Sequence, residues 1–172
     1  MLFGKRILLV IGGGISAYRS LELIRLLRKR GCTVSTCLTE GGSNFVTPLS
    51  VGALAGGKVH QDLFDLTDEA EMGHIELSRA ADLVVVAPCT ADFMAKIASG
   101  FANDLASTLL LATDKPILLA PAMNVRMWNH PSTKRNYATL ISDGARFVGP
   151  NDGEMACGDF GPGRMSEPEQ IA

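Results

Sequence analysis

The chain has 172 residues, 47% of them hydrophobic, and a formal charge of −2, which suits one compact domain with a sizeable core. Charges of both signs are interspersed, so no basic stripe points to nucleic acid or an anionic membrane, and a small-molecule partner is expected. The apolar run in "MLFGKRILLVIGGG" is too short for a secretory signal or a membrane span, and the four cysteines lack metal or disulfide spacing, so no metal is expected and a reducing cytoplasm is the natural setting.

"RILLVI" (6–11) reads as a buried strand ending in a glycine turn, and "SAYRSLELIRLLRKRG" (16–31) as a helix with Leu21, Ile24 and Leu27 on one face. Further strands are predicted at 33–38 (TVSTCL), 82–88 (DLVVVAP), 116–121 (PILLAP) and 145–149 (ARFVG), with helical stretches between them. Runs such as "LVVVA" do not alternate, as expected of strands covered on both faces by crossover helices. The fold class is therefore α/β: a doubly wound, three-layer, Rossmann-like parallel sheet with helices on both faces. One domain spans 1–172. From about residue 149 glycine and proline become frequent, and a flap is expected over about 150–165.

Ligands of such sheets bind beyond the carboxyl ends of the strands. There "GGGISA" (12–17) can bring backbone N–H groups close to a phosphate. Gly12-x-Gly14-x-x-Ala17, with Glu40 after the second strand, also satisfies a dinucleotide fingerprint, so NAD stands beside flavin at this point. "APCTAD" (87–92) and "APAMNVRMW" (120–128) each place a proline at a strand end, which should stop the ladder and turn Thr90, Asp92 and Asn124 over the sheet edge. Helix N-capping is the plainer use of Asp92 and Asn124. His74 lies just inside a short predicted helix, whose dipole favours a neutral imidazole able to act as a base, a surface or half-buried histidine with no role being the plainer reading. Met123, Met127 and Trp128 suit core filling. Cys157 lies in "GEMACGDFGPGRM" (153–165), where nothing apolar would bury a thiol; a lid thiol can deliver a proton out of reach of solvent.

"GGGISAY", "TPLS", "GHIELSRAADL", "APCTAD", "GFANDLAST", "PAMNVRMW" and "ACGDFGPGRM" occur in the order and spacing of the flavin-containing cysteine decarboxylases. The chain resembles that family over nearly its whole length, and within it the phosphopantothenoylcysteine decarboxylases of coenzyme A biosynthesis. The resemblance implies FMN, held by Gly13, Gly14, Ile15, Thr39, Phe45, Thr90, Ala91, Asp92 and Ala122. It implies His74 as the active-site histidine, Asn124 as the ligand of the substrate carboxylate and Cys157 as the thiol of the reductive step, with Ala156, Gly158 and Arg164 also on the substrate. Many relatives have Ser where this chain has Gly12, and Asn where it has Asp92.

The resemblance further implies a carboxy-lyase acting on phosphopantothenoylcysteine, assembled as a homo-trimer or a dodecamer of trimers with "GFANDLAST" near the subunit contact. The sequence stops about where a fused phosphopantothenoylcysteine synthetase domain would begin, which fits an excised domain as well as a complete monofunctional protein. Two other readings stand beside it. Non-catalytic flavin-binding regulators of similar sequence commonly carry long acidic tails, which are missing here, and an NAD-dependent oxidoreductase would show no flavin bands.

Overall fold

The N-terminal apolar run forms β1 (Arg6–Ile11), buried from Ile7 onward. Its side chains divide between two cores, Ile7, Leu9 and Ile11 on one face and Leu8 and Val10 on the other, which is why the run shows no alternation. In this computed structural model residues 2–64 and 73–172 are described. After β1 come α1 (Ala17–Lys29), β2 (Thr33–Leu38), α2 (Glu40–Ser43), α3 (Pro48–Ala55), β3 (Val59–His60), α4 (Gly73–Ala80), β4 (Leu83–Cys89), α5 (Ala91–Ser99) and α6 (Leu105–Ala112). The chain continues through β5 (Ile117–Pro121), α7 (Val125–Asn129), α8 (Pro131–Ser142), β6 (Arg146–Phe147), β7 (Asn151–Glu154), β8 (Phe160–Arg164) and α9 (Pro168–Ile171).

Among the described residues the main sheet is parallel with strand order β3-β2-β1-β4-β5-β6. The order reverses between β1 and β4, and it is outside the carboxyl ends of strands at such a reversal that a crevice opens. Helices α1, α3 and α9 cover one face through Leu23, Ile24, Leu27, Val51 and Ile171. Helices α5, α6 and α8 cover the other through Phe93, Met94, Leu109 and Leu140. The doubly wound, three-layer expectation is met.

Helix α1 has 13 residues, a length at which an isolated helix is marginal in water. Burial of Leu23, Ile24 and Leu27 stabilises it by about 1.5–3 kcal/mol per side chain. The buried hydroxyl of Ser20 donates to Ala87 O at 2.7 Å, fastening the helix to β4. At the opposite sheet edge, Arg6 Nη2 donates to Asp82 Oδ1 at 3.0 Å and the Arg6 N–H to Asp82 Oδ2 at 2.8 Å, joining the starts of β1 and β4.

Two expectations need correction. Pro88 does not end its strand: β4 runs to Cys89, the register shifts after Val86, and pairing resumes at Cys89 with Pro121. The last predicted strand is only Arg146–Phe147, and the two-residue β3 was not foreseen. Beyond residue 149, in the segment expected to form a flap, β7 and β8 pair antiparallel, with residues 155–159 turning between them.

Candidate functional site

The crevice is bounded by the first glycine turn, the segment after β5, and the β7–β8 hairpin. Together they enclose a cavity of about 590 Å³, whose lining includes Gly14, Ile15, Ser16, Arg19, Ala122, Asn124, Ala156, Cys157 and Arg164. Seven residues singled out by sequence thus meet in one place: Gly14, Ile15, Ala122, Asn124, Ala156, Cys157 and Arg164.

Asn124 is the N-cap of α7, its Oδ1 accepting the Arg126 N–H at 2.8 Å. This bond fixes which way the amide faces, so capping and site roles coexist. Its Nδ2 donates to Asp159 Oδ2 at 2.7 Å and lies 3.3 Å from Cys157 Sγ, and the thiol is itself 3.6 Å from Asp159 Oδ2. Hydrogen bonds from Asn124 and Cys157, with the charge of Arg126, hold the Asp159 carboxyl below its ordinary range. The hairpin is secured at this point by the Met123 N–H donating to Gly163 O at 2.9 Å. Gly163 has φ +144, and a Cβ there would meet Met123 O at 2.3 Å, so glycine is required by both backbone and neighbour.

Arg164 Nη2 donates to Glu167 Oε1 at 2.9 Å, and the other oxygen of Glu167 accepts from Arg19 Nη1. One carboxylate thereby orients two guanidinium groups that line the cavity.

Cys157 is exposed, whereas Cys32, Cys37 and Cys89 are buried. Burial pushes the Cys37 and Cys89 thiols up to about 12, which makes them inert near neutral pH. Cys157 is therefore the accessible thiol among the described cysteines.

The other predicted residues lie elsewhere. Thr39 borders a second cavity of about 420 Å³ with Cys37, Asp62, Asn103 and Asp104. It caps α2, accepting the Gly42 N–H at 2.9 Å and donating to Ile11 O at 3.0 Å. Gly13 packs against Gly41, so the turns after β1 and β2 touch. Phe45 is exposed, and Gly158 sits on the exposed hairpin turn. Thr90, not Asp92, caps α5: its Oγ1 accepts the Phe93 N–H at 3.1 Å, while the exposed Asp92 pairs with Lys96 at 3.6 Å. Trp128 is buried and Met123 half-buried, but Met127 is exposed, so only two of that trio fill space inside. His74 is the second residue of α4, half-buried, and does not line either cavity. Its Nδ1 is a buried polar atom with no partner among the described residues.

Sequence reasoning missed Arg19, Asp159 and Glu167. For Asp159 a signal existed, an acid two residues beyond the candidate thiol; Arg19 and Glu167 carried none, since their meeting depends on a separation of 148 residues.

The residues fit a phosphate-bearing cofactor. At Gly14 a Cβ would stand in open space facing the cavity, leaving room for close approach to the start of α1. Ser16 and Arg19 add a hydroxyl and a cation on the same wall. Among the described residues no group of His, Cys, Asp and Glu is arranged to hold a metal ion, and no helix is long and apolar enough to cross a membrane.

The chain is 52% identical over 170 residues to the coenzyme A biosynthesis bifunctional protein CoaBC of Haemophilus influenzae, and 50% identical over 170 residues to that of Escherichia coli K12. Each alignment covers 99% of this chain and 42% of the relative, so the chain spans about two-fifths of the length of these curated relatives. Among solved structures, a mutant PPC decarboxylase complexed with pantothenoylaminoethenethiol superposes with a TM-score of 0.87 at 32% identity, covering 98% of this chain and 94% of that one. The FMN-dependent cysteine decarboxylase SpaF superposes with a TM-score of 0.85 at 30% identity, covering 96% and 91%. The model of the flavoprotein family matches residues 1–172. Sheet order, glycine-lined crevice and full-length match agree: the chain belongs to the flavoprotein family.

Proposed function

We propose that the chain is an FMN-dependent decarboxylase that converts 4'-phospho-N-pantothenoylcysteine to 4'-phosphopantetheine in coenzyme A biosynthesis. The observation that carries this reading is that the glycine turn, the Asn124 amide and the Cys157 thiol share one cavity, with Nδ2 and Sγ 3.3 Å apart. Similarity to the CoaBC proteins and to PPC decarboxylase supports the substrate.

A cysteine carboxylate has no electron sink, so direct loss of CO2 would leave an unstabilised carbanion. Bound FMN supplies a two-electron acceptor that takes the substrate's CH2–SH to the thioaldehyde level and returns the electrons after CO2 has left. The cofactor would be held by Gly13, Gly14, Ile15 and Ala122, while Thr39, Phe45 and Thr90 to Asp92, which do not line this cavity in their own chain, would meet a cofactor lying at the seam with a neighbouring copy. Asn124 Nδ2, aimed by the cap bond to Arg126, holds the substrate carboxylate in register. Ala156, Gly158 and Arg164 enclose the rest of the substrate when the flap, about residues 150–165, closes.

When the C–CO2 bond breaks, its electron pair moves into the C=S group and an ene-thiolate results. Cys157 then gives its proton to the carbon that bore the carboxylate and is left as a thiolate, which solvent reprotonates because the residue is exposed. The net change is CO2 out and one proton in.

His74 manages the proton of the oxidation step. Since it does not line the cavity of its own chain, a neighbouring copy supplies it, in a trimer or a dodecamer of trimers. Exposed Phe101, in the segment 100–108, supports a contact there. A fused phosphopantothenoylcysteine synthetase domain accounts for the remaining length of the relatives. A single domain working in a reducing cytoplasm agrees with four unpaired cysteines.

The test is the visible spectrum of the purified, FMN-reconstituted protein. Flavin bands that bleach transiently when phosphopantothenoylcysteine is added without air support the reading. A folded protein that takes up no flavin contradicts it.

A further inference from the structure

We propose that Asp159 is a positioning residue: its carboxylate takes the substrate carboxylate's place on Asn124 whenever that place is empty, and in doing so seats Cys157 over the reacting carbon. The inference rests on the roles given above to Asn124 and Cys157.

The argument starts from the amide. Because Asn124 Oδ1 is engaged by the Arg126 N–H at 2.8 Å, Nδ2 is the only part of the side chain free to meet an anion, and it can face only one way. It meets Asp159 Oδ2 at 2.7 Å, the short distance of a charge-assisted bond. The same oxygen stands 3.6 Å from Cys157 Sγ, and Sγ stands 3.3 Å from Nδ2. Amide, thiol and carboxylate close a triangle, with the acid belonging to the hairpin turn and the amide to the sheet edge. The turn itself is tied by the Met155 N–H donating to Asp159 O at 2.8 Å and the Gly158 N–H donating to Met155 O at 2.9 Å, so where Asp159 goes, Cys157 goes.

Nδ2 carries two N–H groups, already directed at Cys157 Sγ and Asp159 Oδ2, and a substrate carboxylate docking on it would stand against the Asp159 carboxylate, where like charges at hydrogen-bonding range repel. A substrate whose carboxylate docks on Asn124 must displace Asp159, and the thiol leaves with it. Loss of CO2 removes the competing charge. Asp159 then returns, and Cys157 comes back within 3.3 Å of Nδ2, beside the carbon that has just lost its carboxylate. The proton donor is thus withheld while the carboxylate is present and delivered once it is gone.

The test uses FMN-loaded native protein, Asp159→Asn, Asp159→Ala and Cys157→Ser. Each is mixed with phosphopantothenoylcysteine without air, and the decarboxylated products are resolved by mass spectrometry into the normal form and the form two hydrogens short. In parallel, iodoacetamide alkylation of Cys157 is timed without substrate, the other three cysteines being buried. Asp159→Ala should raise the ratio of oxidised to normal product about tenfold. Cys157→Ser, which lacks the thiol itself, should raise the same ratio at least as far. Alkylation should be about fivefold faster in Asp159→Ala than in the native protein, because the thiol is no longer held. Asp159→Asn, which keeps size and loses charge, should move both readouts the same way, by less. A native ratio or a native alkylation rate in Asp159→Ala overturns the assignment. If the native protein itself releases no CO2, the proposed function fails, and the alkylation comparison alone still decides whether Asp159 holds the thiol.

Discussion

Glu167 joins Arg164 to Arg19 across the rim of the cavity, its Oε1 2.9 Å from Arg164 Nη2 while Oε2 accepts from Arg19. The bridge ties β8 to the first turn of α1, so it sets both the charge of the wall and the seat of the hairpin. With the carboxylate side chain 41% exposed, each pair is worth at most about 1 kcal/mol. Glu167→Gln should therefore raise KM for phosphopantothenoylcysteine by about fivefold or less, with kcat changed less than KM. Steady-state kinetics check this; a fall in kcat alone would place Glu167 in the chemistry instead.

Asn124 combines a cap with a proposed substrate contact, and one substitution separates them. Aspartate caps a helix about as well as asparagine, so Asn124→Asp should keep the melting temperature within a few degrees while abolishing turnover, because a carboxylate there repels both Asp159 and the substrate's carboxylate. His74→Asn should also abolish the first step while the protein stays yellow. Flavin absorbance with substrate, read beside a melting curve, checks both variants; loss of bound flavin in a folded variant would make that residue a cofactor ligand.

Acid sensitivity follows from Asp82. The Arg6 side chain, then its backbone N–H, hold the Asp82 carboxyl down at about 2. A depressed folded-state value means stabilisation that is fully present above the unfolded value of about 4 and lost as pH falls toward 2. The melting temperature should drop between about pH 4 and pH 2, and Asp82→Asn should start lower and drop less over that range. Equal slopes for the two proteins would show that Asp82 does not carry the effect.

Gly163 holds the hairpin against Met123 through a close backbone contact. Gly163→Ala should cost about 1–3 kcal/mol and slow turnover, because Asn124 directly follows the segment displaced. Urea unfolding measures the cost; native stability would mean that the hairpin sits farther from Met123.

How far these relationships were legible in the sequence depended on the kind of signal. Strands β1, β2, β4 and β5 announced themselves because burial on both faces demands continuous apolar runs, as "LVVVA" shows. The pair β7–β8 gave no such signal: NDGE and FGPGR have poor strand propensity and are held by pairing to each other and by Met123. Pro88 misled because a proline ordinarily ends a ladder, whereas here a register shift lets β4 pass it. Of the residues lining the cavity, Cys157 was singled out by its glycine-rich neighbourhood and Asn124 by the proline that precedes it at a strand end, its role toward the substrate coming only from the family resemblance. Asp92 was preferred to Thr90 as a cap although the hydroxyl two residues earlier does that work. The separation of His74 from the cavity is a tertiary fact that no local pattern carries.

The central claim, that oxidation and reduction cancel around the loss of CO2, is tested most directly by mass spectrometry of phosphopantothenoylcysteine incubated with the FMN-loaded protein in the absence of air. The account predicts a product that has lost CO2 and kept its oxidation state, formed over many turnovers with no added oxidant or reductant. A product two hydrogens short, or unchanged substrate beside a fully loaded flavin, would contradict it.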